Sequence, residues 1–123
     1  FFFFFFSFFF FFFFFSPFFA STAGVLLTKI FKVAIENNMA FELNPKSMFK
    51  YRNIGLYDYA IEIYKQLGGK RYTIGSDAHD VTNYENHFQD ALAMLKAHDI
   101  HHVNVFRQGA MTVIPIDNVP EDL

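Results

Sequence analysis

Between Val25 and Ile116 the chain switches repeatedly between two hydrophobic periods, and this alternation restricts its fold more than any other feature. Over Val25–Asn38, Leu26, Leu27, Ile30, Phe31, Ala34 and Ile35 recur at helical spacing, with Lys29, Lys32 and Glu36 off the stripe. Met39–Leu43 reads as a short strand, stopped by Asn44-Pro45. Lys46–Tyr57 is mixed and reads as loop. Asp58–Leu67 reads as a second helix, with Asp58 as its N-cap and Gly68-Gly69 as its stop. Arg71–Gly75 is the next strand, and Asp77–Asn83 a loop. Tyr84–His98 is a third helix with Phe88, Ala91, Leu92 and Leu95 facing inward. Val103–Phe106 and Met111–Ile116 read as strands around a Gln108-Gly109 turn, and the acidic tail Asp117–Leu123 is expected to fray. Such an order implies an α/β fold with mostly parallel strands. Two strand–helix units and a terminal pair are too few for a barrel or a doubly wound sheet. The pattern therefore reads as the latter part of a larger α/β domain.

Ahead of this region stands a tract of another kind. Of the 21 phenylalanines in 123 residues, all but Phe31, Phe41, Phe49, Phe88 and Phe106 fall within Phe1–Phe19. The tract approaches the roughly 20 apolar residues of a membrane span. It lacks a basic flank, a mixture of aliphatic side chains and a small-residue cleavage site. Identical rings cannot specify a packing register, and an uncharged run of this kind favours aggregation. Residues 1–20 are accordingly read as an artefactual tract without function, 21–117 as a partial α/β domain, and 118–123 as a tail.

The chemistry of the sequence concentrates at Ile74-Gly75-Ser76-Asp77-Ala78-His79. Residues two apart in an extended segment point to one side, so Asp77 and His79 can present an oxygen and a nitrogen ligand together. That pair suits hard or borderline divalent ions. Cysteine is absent, so thiolate sites and disulfides are excluded, which accords with a reducing cytoplasm. The formal charge of -2 gives no general case for nucleic acid or an anionic membrane as partner. Competing readings stand beside these. Asp77 can serve as a simple turn cap, Asp80 as a turn residue, Glu42 as a solvated edge carboxylate and Arg52 as a surface arginine. His87, His98, His101 and His102 read as surface histidines, and Tyr51, Tyr57, Tyr59 and Tyr64 as core and rim packing.

Phe41-Glu42-Leu43-Asn44, Tyr51-Arg52, Tyr64-Lys65-Gln66-Leu67-Gly68-Gly69 and above all Gly75-Ser76-Asp77-Ala78-His79 resemble the C-terminal part of PHP-family phosphoesterases, nearest to the histidinol-phosphatase branch. The resemblance runs from about Val25 to Ile116. It implies the latter part of a distorted seven-stranded TIM-like barrel, with the site at the carboxyl ends of the strands. It also implies two or three divalent ions (manganese, iron or zinc) that activate water and clamp a phosphate monoester. Asp77 and His79 match the family's last two metal ligands, Asp77 also being able to orient or deprotonate water. Arg52 stands where relatives carry a phosphate-contacting arginine. Glu42 and Asn44 match a strand end beside the site, behind the ligands or facing substrate.

The implied reaction is hydrolysis of histidinol phosphate to histidinol, in cytoplasmic histidine biosynthesis. The implied partner is therefore a small phosphate ester, with no nucleic acid or membrane. The sequence also departs from the family. Its His-x-His, its middle Glu and its other histidines have no counterpart here, and a histidine expected shortly before Val25 is missing. A hydrolytic metal site takes at least three protein ligands, and Asp77 and His79 supply two. Two other readings follow: an inactive fragment or artificial chain of this fold, and a nuclease or polymerase-associated PHP module, which the lack of a basic surface disfavours.

Overall fold

The computed structural model describes residues 17–75 and 87–120, with side chains from Thr22 onward. The described chain is a mixed α/β assembly with two small sheets. Helix α1 spans Pro17–Glu36, strand β1 Phe41–Leu43, helix α2 Ile54–Gln66 and strand β2 Tyr72–Ile74. Helix α3 spans Phe88–Ala97, strand β3 His102–Arg107 and strand β4 Ala110–Pro115. A π-helical turn, Lys46–Lys50, follows β1, and a 3-10 turn, Ile116–Asn118, follows β4.

β1 and β2 are parallel, with Phe41 opposite Tyr72 and Leu43 opposite Ile74. β3 and β4 form an antiparallel hairpin from His102–Pro115 to Arg107–Ala110. Its two turn residues, Gln108 and Gly109, have φ of 50° and 79°. Positive φ at both central positions matches the right-handed twist of the flanking strands. The two sheets are not joined by a backbone ladder. Instead the buried Asn104 side chain accepts a hydrogen bond from the Tyr72 N–H at 2.8 Å, standing in for a neighbouring strand's carbonyl. No barrel closes among the described residues, and the described strands divide evenly between parallel and antiparallel pairing.

The core lies between α1, α2 and the β1–β2 pair. Phe31 meets Phe41 and Tyr64 edge-on at 5.3 and 5.2 Å between ring centroids, and Tyr64 meets Tyr72 at 5.3 Å. Leu43, Met48, Ile61, Leu92, Leu95 and Val103 are also part of it. The Tyr64 hydroxyl reaches the carbonyls of Met39 and Arg71 at 3.3 and 3.1 Å, tying α2 to the starts of both strands. Burial raises the pKa of this hydroxyl, and raises that of Tyr72 further.

Several boundaries differ from the sequence expectation. α1 begins at Pro17, eight residues before Val25, and proline suits a first helical position because its missing N–H would be unpaired there. The buried face of α1 is Ala23, Leu27, Phe31 and Ala34, while Leu26 is exposed. Four buried positions at intervals of four, four and three define one narrow stripe, and Leu26 falls beside it. Lys46–Tyr57, expected as loop, contains the π-helical turn and the first turn of α2. Asp58 is therefore inside α2, and Asn53 holds the N-cap position. Buried Tyr57 explains the earlier start, since it anchors the first turn in the core. α3, expected from Tyr84, begins at Phe88, because His87 has φ of 60°, through which a right-handed helix does not continue. The tail is partly anchored, because Lys96 Nζ donates to Asp117 at 2.5 Å and Gln89 Nε2 to the Pro120 carbonyl at 2.9 Å. Among the described residues no helix is long and apolar enough to cross a membrane.

Candidate active site

The carboxyl ends of the parallel pair define the site. A parallel sheet points its strand ends, and the connections that leave them, toward one side of the fold. Here the connection from β1 to α2 and the start of the connection from β2 to α3 emerge side by side. The Gly75 N–H bonds the Leu43 carbonyl at 2.9 Å, so pairing persists to the last described residue of β2's exit.

Glu42 lies over that exit. A Cβ on Gly75 would collide with the Glu42 carboxylate, which is the close approach that glycine permits. The half-buried Glu42 is thus held beside the segment leading to Asp77. Asn44 is buried and has a different task. Its Oδ1 accepts the Ser47 N–H at 3.0 Å, and its carbonyl accepts the Met48 N–H at 3.0 Å, starting the π-helical turn. Ser47 Oγ in turn accepts from Asn53 Nδ2 at 3.1 Å. The buried Asn44 side chain thus holds the Ser47 backbone and buried Asn53 holds the Ser47 hydroxyl, which together fix the shape of the β1–α2 connection. Arg52 sits on that connection with φ of 58° and is exposed.

Asp77 and His79 lie outside the described residues, as does Asp80. Among the described residues no group of three or more His, Cys, Asp or Glu is arranged to hold a metal ion.

Two clusters were not visible in the sequence. His87 stacks on Phe49, with ring centroids 4.8 Å apart and planes 26° from parallel. Phe49 follows β1 and His87 precedes α3, so this pair joins the two connections of the site. Proximity between residues 38 positions apart has no local sequence signal. The second cluster centres on His98, whose side chain is only 12% exposed and so is not the surface group expected. Its Nε2 lies 2.6 Å from Asp58 and its Nδ1 2.9 Å from Glu62, while Lys65 Nζ donates to its carbonyl at 2.7 Å. Asp58 and Glu62 are four apart on α2, hence on one face. Because the two carboxylates grip opposite sides of the ring, they have no common point at which an ion could bind.

No family model matches the chain, and no solved structure matches it. Over 88 residues it is 30% identical to a protein of Thermotoga maritima described as a "Probable histidinol-phosphatase". The similarity takes in 72% of this chain and 38% of that protein, so the chain spans less than half of its relative's length.

Proposed function

We propose that the chain is the C-terminal part of a metal-dependent phosphatase that hydrolyses a phosphate monoester, with histidinol phosphate as the substrate, built on a distorted TIM-like barrel of the PHP type. The 30% identity with a probable histidinol-phosphatase carries this reading. The parallel β1–β2 pair supports it, because Glu42 lies against Gly75, two residues before Asp77 in sequence. Asp77 and His79 bind a divalent ion, Arg52 neutralises charge on the phosphate, and Asp77 orients or deprotonates the attacking water. Bound metal supplies Lewis acidity toward the phosphoryl oxygens. Glu42 and Asn44 support the strand end rather than bind the ion.

The competing reading is a folded but inactive piece of such an enzyme. The two-ligand set favours it, since a hydrolytic ion takes at least three protein ligands. Metal analysis and an assay on histidinol phosphate separate the two. Stoichiometric manganese, iron or zinc together with turnover, both lost in Asp77→Ala, supports the enzyme. A folded protein with neither metal nor turnover overturns it for this chain.

A further inference from the structure

Among the described residues no backbone ladder joins β3 to β2, so the polar bonds across this seam are made by side chains. Asn104 accepts the Tyr72 N–H at 2.8 Å, His102 Nε2 lies 2.7 Å from the Lys70 carbonyl, and Lys65 Nζ donates to the His98 carbonyl at 2.7 Å. An amide and an ammonium keep these bonds across neutral pH. His102 keeps its bond too, because Nε2–H can donate from the neutral ring and from the charged one.

The ring of His98 is different. His98 is the C-cap residue of α3, at the start of the turn into β3. Its Nε2 lies 2.6 Å from Asp58 Oδ1 and its Nδ1 2.9 Å from Glu62 Oε2. An ionised carboxylate only accepts, so each contact needs an N–H on the ring. Neutral imidazole has one N–H and imidazolium has two. In the neutral ring, one nitrogen lone pair would face a carboxylate.

The surrounding charges are few. α2 faces the ring with Asp58, Glu62 and Lys65, and the Lys65 ammonium is already placed on the His98 carbonyl. The turn after α3 adds Asp99 and His101, which pair with each other at 2.7 Å. On α3, Lys96 pairs with Asp117. On β2, the Tyr72 hydroxyl stays protonated, because burial and then the charges of Tyr64 and Glu62 oppose its ionisation.

We propose that His98 is a pH-sensitive clasp: as imidazolium it holds Asp58 and Glu62 together and ties the turn before β3 to α2, and as neutral imidazole it releases one carboxylate and loosens that seam. The clasp is complete where the carboxylates are ionised and the ring is charged, and it opens as the ring loses its proton at higher pH. Asn104 and Tyr72 then carry more of the junction between the hairpin and the parallel pair.

Hydrogen exchange at the Tyr72 N–H reads the seam directly, taken as protection relative to an unstructured peptide at the same pH. From about pH 5.5 to about pH 9, which brackets the ordinary histidine range, protection in the parent is expected to fall about fivefold. That is the loss of one bond to a half-exposed charged partner. His98→Gln is neutral throughout, so it is expected to start lower and show no such fall. Glu62→Gln leaves Asp58 for a single ring N–H, so it is expected to lessen the fall, and it gives the reading if His98→Gln does not fold. Equal protection in the parent at both ends of the range overturns the proposal. So does an undiminished fall in the variants, which would assign the pH dependence to His101 or His102.

Discussion

Two glycines show how a single atom separates site from scaffold. A Cβ on Gly75 would strike the far end of Glu42, whereas a Cβ on Gly69 would strike the buried ring of Tyr64. A glutamate carboxylate can swing aside, but a core ring packed against Phe31, Phe41 and Tyr72 cannot. Gly75→Ala is therefore expected to cost less than about 1 kcal/mol, and Gly69→Ala about 1–3 kcal/mol, by urea denaturation. Asn104 is a comparable case. Replacing it with Ala leaves the Tyr72 N–H without its acceptor, and the expected loss is about 1–3 kcal/mol. The sequence marks Asp77 and His79 through their spacing alone. It gives no sign that a carboxylate from 33 positions earlier lies against Gly75.

At the scale of elements, helix packing and turn chemistry decide more than propensity. The Gln108-Gly109 turn was legible as a turn, and both residues take the positive φ that a two-residue hairpin loop requires. Gly109→Ala is expected to destabilise the chain by about 1 kcal/mol, while Gln108→Asn is neutral or stabilising, as read from thermal melts. The start of α2 was not legible. Tyr57 continues the buried stripe of Ala60, Ile61 and Tyr64 at helical spacing, but the Asn44–Ser47–Asn53 network that fixes the preceding turn has no such period. His98 couples α2 to the turn between α3 and β3. Its carboxylate partners are about half exposed, so His98→Ala is expected to cost about 1 kcal/mol, measured at fixed pH.

For the molecule as a whole, the described fold joins one parallel pair to one hairpin through Asn104. Surface ion pairs contribute little to holding it. Lys96 keeps the Asp117 carboxyl below its ordinary pKa, and His101 does the same for Asp99. A lowered carboxylate pKa adds stability above the unfolded value of about 3.8 that is lost only as pH falls through the folded value. Asp117→Asn is therefore expected to lower Tm slightly at neutral pH, with the difference shrinking as pH falls below about 3.8. The small size of that loss follows from solvent screening of exposed charges. Under the proposed function, activity belongs to the same scale, because two protein ligands do not suffice to hold a hydrolytic ion.

The sequence alone determined the order of helices and strands, the inward face of α3 and the hairpin turn. All of these are written in local spacing, at periods of two or about 3.6 residues. Only the tertiary structure decided that Glu42 rests on Gly75, that Phe49 and His87 meet, that His98 is clasped by two carboxylates, and that an asparagine replaces a strand-to-strand ladder. Each joins residues 33 to 40 positions apart, or substitutes a side chain for a backbone group. Such contacts are set by how strands and helices pack in space, which no local period encodes.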